Sequence, residues 1–456
     1  MNEVIDPSLW NQLFVIDSSN IPWYAEFVRS LLRFIIALAG GLGSVPILVW
    51  LERRLLGFWQ GRLGPNRVGP FGLLQPIADA LKLMMKEDIT PSNVDKLLYF
   101  LAPAIALVPV ICSLTVLPWN SSSDWGAVAP HLNVGILFLL AVASIEVYGV
   151  ILAGWSSNNK YSLLGGLRAS SQVISYEIGM GLSIIAVLLF TGTLAMQDLV
   201  QGQTLAVSVP IADSSYTVWT QSVSSGFWNW NIFKVFPFGL IAAVIYMISM
   251  IAETNRAPFD LPEAETELVA GFHTEYTSFK FAMFFMGEYA NMLIVSAICV
   301  TLFLGGYTAP WGLLGQIPAN WAFFPPPIIN LINHVVIAPF WLFTKLYTLI
   351  CFFILVRASQ PRLRYDMLMH FGWKVLLPTA LANVVFIAMS MALQQSLGPI
   401  GHLATVAFSL CVGGIVLWFA YLHWKARRDG HEASTLPIRR ESVVLEISAR
   451  IPVEEQ

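Results

Sequence analysis

Glu253, Asp260, Glu263, Glu265, Glu267 and Glu275 crowd into one stretch of this 456-residue chain, ETNRAPFDLPEAETELVAGFHTEYTSFK. Phe259, Leu261, Leu268, Val269, Phe272, Tyr276 and Phe279 are interleaved with them, so part of the stretch is suited to burial. Carboxylates crowded in a partly apolar place repel one another, and desolvation favours their neutral forms. Both effects move proton affinity towards the range a proton relay uses. A fully solvated acidic loop is the plainer alternative, and the apolar interleaving argues against it. Further acids sit in apolar runs. Glu177 in SSQVISYEIGMG and Glu288 in FFMGEYANM adjoin the stretch, and Glu146 in SIEVYGVIL lies nearer the middle of a run, as does Lys345 in FWLFTKLYTL. Ionisable groups at such depths are costly and mark functional paths more often than structural ones.

Cationic chemistry gathers in two other stretches. LERRLLGFWQGRLGPNRVGPFGLLQPIADALKLMMKED holds Arg53, Arg54, Arg62 and Arg67, a turn region punctuated by Gly and Pro, and then an amphipathic segment. From Gln75 to Glu87, Asp79, Lys82 and Lys86 recur at helical spacing, with Leu74, Ile77, Leu81, Met84 and Met85 on the other face. Such a helix lies along a membrane interface and does not cross it. RASQPRLRYD supplies Arg357, Arg362, Arg364, Tyr365 and Asp366. Taken singly, each stretch reads as a basic loop held by anionic lipid; their weight comes from sharing one face.

The elements that position these residues follow from composition. With 56% hydrophobic and 12% charged residues and a mean hydropathy of +0.66, the chain lies far from soluble domains. Runs of about 20 mainly apolar residues fall at roughly 27–51, 98–117, 133–155, 173–191, 236–252, 281–303, 337–356, 372–394 and 403–424. The loops on one side collect nearly all the Lys and Arg outside the spans, whereas the other side holds Lys234 alone. By the positive-inside rule the N-terminus faces out and the tail faces the cytoplasm, a parity that nine spans satisfy. Continuous runs of this length predict an all-α polytopic bundle and not a membrane barrel. Cys112, Cys299, Cys351 and Cys411 each stand alone in an apolar run, so neither zinc nor an iron–sulfur cluster is expected on this chain. The start, MNEVIDPSLWNQ, lacks the basic flank of a cleavable signal, so the first apolar run is expected to be retained.

ERRLLGFWQGRLGPNRVGP, GWSSNNKYSLLGGLRAS, the APFDLPEAETELVAGFHTEY run and GEYANM, spread along residues 50–394, closely resemble the H subunits of bacterial proton-pumping NADH:quinone oxidoreductase, respiratory complex I. The resemblance implies an eight-helix quinone-chamber domain over 27–394, after a periplasmic N-terminus at 1–26. A ninth helix within 395–424 and a cytoplasmic tail at 425–456 go beyond the family pattern. It also implies that Arg53, Arg54, Arg62, Arg67, Asp79 and Lys82 border the quinone chamber, and the loop bearing Arg362 and Arg364 shares their face. The family's acidic funnel corresponds to Glu177, Glu253, Asp260, Glu263, Glu265, Glu267, Glu275 and Glu288, and the deeper Glu146 joins it as a proton-path candidate. The substrate expected is quinone, ubiquinone in the first instance. FMN and iron–sulfur clusters are expected in partner subunits, including the one with the terminal cluster. Other complex I subunits and membrane lipid are the expected partners, nucleic acid is not, and the setting is the bacterial inner membrane. A proton or sodium transporter would explain the buried acids, but it would show an internal duplication with interrupted helices, and none is found. The equivalent subunit of a membrane-bound hydrogenase would keep similar loops without a quinone corridor; the ERRLLGFWQGRLGPNRVGP stretch favours the quinone enzyme.

Overall fold

The computed structural model describes residues 23–120, 127–129, 132–203, 227–234, 236–260, 270–310 and 336–396. Among them no strand occurs, and the helices are α1 Trp23–Trp59, α2 Gln75–Met85, α3 Lys96–Ser113, α4 Gly135–Ser156, α5 Lys160–Thr191, α6 Phe238–Glu253, α7 Ser278–Phe303, α8 Ala338–Ser359, α9 Tyr365–Phe371 and α10 Leu377–Ser396, apart from very short turns. Among the described residues seven segments are long and apolar enough to cross a membrane, the last running from Tyr365 to Leu393 through α9, a π-helical turn and α10. The shorter α6, 16 residues, matches the fifth expected span. Expectations for 395–424 and for the tail lie outside the described residues, apart from the last turn of α10. The chain up to Met391 is one compact unit.

α7 is the hub of that unit. Every residue from Tyr289 to Phe303 is buried, and a helix apolar and enclosed on all sides belongs at the centre of a bundle. α1, α3, α6 and α8 pack against it, and α4 and α5 continue the bundle beyond α3 and α6. Lys345 of α8 secures the end of the hub. Its ammonium donates to the carbonyls of Leu304 (2.5 Å), Gly306 (3.0 Å) and Thr308 (2.6 Å) and lies 4.5 Å from the centre of the Trp230 ring. Those carbonyls follow the C-terminus of α7, where the helix dipole favours a cation. All three ammonium donors are used in holding the fold.

Two helices outrun their apolar cores. α1 continues eight residues past 51 to Trp59, because ERRLL is built of good helix formers; the lone Gly57 is carried inside the helix, and the chain turns only at Gly61, whose φ is 66°. Arg53 and Arg54 therefore stand on the helix and not in a loop. α5 begins at Lys160, well before the expected 173, since the Asn159 side chain accepts from the Tyr161 N–H at its start. At about 1.5 Å per residue its 32 residues exceed the roughly 30 Å hydrocarbon core.

Small residues let this extension lie against its neighbours. A β-carbon on Gly165 would stand 2.6 Å from Cα of Gly271, and one on Gly166 would press on Gly154. Gly165→Ala should lower stability by about 1–3 kcal/mol, read as a drop in thermal unfolding midpoint. Gly181→Ala is the control, since nothing lies within 4 Å of that position, and it should leave the midpoint unchanged or raise it.

Candidate charge network

The buried face of α1 recurs at Val45, Leu48, Val49 and Glu52, the i, i+3, i+4, i+7 spacing of a helix stripe. Glu52 thus enters the bundle although Arg53 and Arg54 beside it turn outward. An unpaired carboxylate there would be prohibitive, and it is paired twice. Arg357 from the last turn of α8 donates to Oε1, and the Tyr289 hydroxyl of α7 donates to Oε2 at 2.8 Å. The Arg256 guanidinium sits 4.3 Å from the centre of the Tyr289 ring and 3.9 Å from Glu288. His273 approaches the other Glu288 oxygen at 3.9 Å. Arg357, Glu52, Tyr289, Arg256, Glu288 and His273 therefore form one run of neighbouring polar groups.

Arg256 is held by the turn after α6, and Gln172 of α5 fixes that turn. Its amide donates to the carbonyls of Ala252 and Phe259, both at 2.8 Å, and to Asn255 Oδ1 at 3.2 Å. The same turn reaches the last basic loop, where Leu363 N–H donates to the Pro258 carbonyl at 3.0 Å and Arg362 lies 3.4 Å from Asp260.

Beside the network lies a group of acids. Glu146 of α4 and Glu253 at the end of α6 line one cavity with Asn291, Tyr246 and apolar side chains of α3, α4, α5 and α7. Its 20 Å³ exceeds the roughly 10–15 Å³ that one water requires. Glu146 is close enough to Glu253 and Glu288, and Glu253 to Glu177, for mutual repulsion. Ser144 donates to Glu177, whereas Glu253 Oε2 is buried and has no hydrogen-bond partner among the described residues. An arrangement of this kind can pass a proton between carboxyls and register a change of charge nearby.

The structure brings together Glu146, Glu177, Glu253 and Glu288 of the expected proton-path residues, and pairs Asp260 with Arg362. Glu275 stands apart, accepting from Asn159 at 2.7 Å. Glu263, Glu265 and Glu267 lie outside the described residues. Of the expected chamber residues, Arg53 binds Asp79 of α2 at 2.5 Å, and Arg54 donates to the carbonyls of Pro65 (3.2 Å) and Phe71 (3.3 Å). Arg62 is exposed and bonds Gln60 at 2.8 Å; Arg67, Lys82 and Arg364 are exposed as well. This set does not converge on one cavity among the described residues. α2 spans Gln75–Met85, ending two residues before the expected Glu87, with Ile77, Leu81, Met84 and Met85 exposed. Glu52, Tyr289, Asn291 and His273 were missed as site residues. The stripe through Val45, Leu48 and Val49 was the available sign for Glu52.

Fold and site together define a polytopic α-helical membrane protein with buried acids inside its bundle and exposed basic residues in its connecting segments. The NADH dehydrogenase family model matches residues 32–388. Over 380 residues the chain is 45% identical to an NADH-quinone oxidoreductase H subunit of Koribacter versatilis (strain Ellin345), covering 80% of this chain and 97% of that one. It is 44% identical over 356 residues to the H subunit of Rickettsia felis (strain ATCC VR-1525 / URRWXCal2), covering 78% and 91%, and 46% identical over 346 residues to that of Rickettsia prowazekii (strain Madrid E), covering 75% and 88%. The chain belongs to the NADH dehydrogenase family, among the H subunits of NADH-quinone oxidoreductase. The match stops short of the run at 403–424.

His273 is walled by Phe272, Phe281 and Phe284, and burial pulls its imidazole down to about 4. The ring is neutral at pH 7, so its contact with Glu288 is not an ion pair. An unfolded histidine titrates near 6.5, so between about pH 6.5 and 4 the unfolded chain takes up a proton that the folded ring refuses. Stability falls with pH across that window, by roughly 3 kcal/mol from this residue. His273→Gln should flatten that part of the profile, seen in unfolding midpoints of parent and variant from pH 7 to 4.

Proposed function

We propose that this chain is the quinone-site membrane subunit of a proton-translocating NADH:quinone oxidoreductase. In this reading Arg53, Arg54, Arg62, Arg67, Asp79, Lys82, Arg362 and Arg364 border the quinone chamber. Glu146, Glu177, Glu253, Asp260, Glu263, Glu265, Glu267 and Glu288 form the acidic path beneath it. The observation that carries the reading is the polar run from Arg357 through Glu52, Tyr289 and Arg256 to Glu288, which ends beside the buried acids.

The chemistry follows from the residue types. An isoprenoid tail needs apolar wall, which the uncovered side of α2 offers. Cations near the head group polarise its carbonyls and stabilise the anionic reduced form. Electrons come from the terminal iron–sulfur cluster of a partner subunit, with FMN and further clusters in other partners. Two electrons and two protons convert quinone, ubiquinone in this reading, to quinol. The negative charge that appears first draws on the basic face. Arg357 and Arg256 share that charge with Glu52 and Glu288, so proton affinity changes along the run and reaches Glu253 and Glu146. The chain sits in a bacterial inner membrane with its N-terminus periplasmic and its tail cytoplasmic.

In vesicles carrying the whole complex, Glu253→Gln should slow NADH:quinone activity roughly a hundredfold, the lower end for losing a proton-transfer group. Electron transfer to an acceptor served ahead of quinone should continue. Azido-quinone should label the 53–86 region. The coupling role would be abandoned if Glu253→Gln with Glu146→Gln left both the rate and the protons pumped per NADH unchanged. Labelling confined to other subunits would reject the chamber assignment.

A further inference from the structure

Glu275 lies outside the charge network, and its surroundings form a site of their own. It lines a 360 Å³ cleft with the linker Pro91–Asn93, the turn Ser157–Asn159 between α4 and α5, and Lys160 and Tyr161 of the first turn of α5. The floor is fixed by bonds among these segments. Asn159 caps α5 through its side-chain oxygen and donates its amide to Glu275 Oε1 at 2.7 Å. Asn158, held at a φ of 47°, donates to the Asn93 carbonyl at 3.3 Å. Tyr99 donates to the Glu275 carbonyl at 2.7 Å, fixing the backbone that carries the acid.

The carboxylate is thus oriented, and no cation of the described residues pairs with it. Lys280, five residues on, turns instead to Asp88 at 3.0 Å. Lys160 is exposed on the rim and forms no ion pair with Glu275. Tyr161, with 55% of its surface exposed, leaves its ring available to a ligand in the cleft. A carboxylate with one oxygen uncommitted, amide oxygens around it and an open tyrosine ring is a receptor for guanidinium. That group forks onto carboxylates, has donors left for neighbouring oxygens and stacks on aromatic faces. An ammonium or a lone metal ion uses fewer of these features.

We propose that the cleft receives an arginine side chain of a soluble partner subunit, its guanidinium on Glu275 and its plane against Tyr161. The inference rests on the reading above only in supposing that a soluble arm docks on this face. Buried arginine and tyrosine are the residues that most often dominate such contacts.

The test uses native membranes holding the whole complex, washed with stepped salt while the soluble arm is quantified by its bound flavin. Glu275→Arg should release the arm faster than the parent by on the order of tenfold or more, and Glu275→Gln by less. Release at the parental rate from Glu275→Arg overturns the proposal. Should that variant fail to accumulate, a photoreactive benzoylphenylalanine at position 161 in the otherwise parental chain decides the matter. The expected adduct is a soluble-arm peptide containing an arginine. Adducts to lipid alone, or none to the arm, overturn it. Parental membranes lacking any flavin-bearing arm would instead strike down the proposed function, which separates the two failures.

Discussion

A carboxylate inside a helix bundle must be neutralised where it stands, and Glu52 meets that condition by recruiting two other spans. Arg357 reaches it from α8 and Tyr289 from α7, so one anion ties α1, α7 and α8 together. Breaking a buried pair from one side typically costs about 3–5 kcal/mol, because the remaining charge is left uncompensated. The same condition propagates. Tyr289 gives its hydroxyl to Glu52 and its ring face to Arg256, and Arg256 in turn compensates Glu288. Electrostatic necessity in one helix thereby fixes the placement of a turn two elements away.

Buried ions in this chain divide into two kinds. Lys345 is saturated, with three carbonyl acceptors for three donors and an aromatic face beside it. A group so completely satisfied gains nothing by moving and serves as a rivet. Glu253 is the opposite, an enclosed acid with an oxygen that has no partner among the described residues, next to a void large enough for water. Such a group responds to whatever charge changes nearby. Sequence treats both simply as ionisable residues in apolar runs. Their hydrogen bonds tell them apart.

The helical class was legible because hydrocarbon thickness imposes its length on every span, and the interfacial helix because its apolar face repeats at the right interval. Helix limits were less so. Hydropathy marks where a helix leaves lipid, not where it ends, so α1 and α5 ran on past their apolar cores under the control of local caps and breakers. Glu177, Glu253 and Glu288 were recognisable as a group from their positions at span ends. Glu52 was hidden by Arg53 and Arg54, whose charges dominate the local composition while pointing the other way. Glu275 shows the converse case. It lies close in sequence to other acids, yet a turn and a cap direct it to separate partners.

α2 leaves Ile77, Leu81, Met84 and Met85 uncovered along one side. That side is tolerable only beneath lipid or a neighbouring chain, so it gives the protein a biogenesis problem as well as a surface. Between insertion by the translocon and arrival of its neighbours, a newly made copy displays a greasy, unshielded helix at the mouth of the bundle. Exposed apolar area of this kind promotes non-native association, so this helix is where an unassembled copy sticks to other chains.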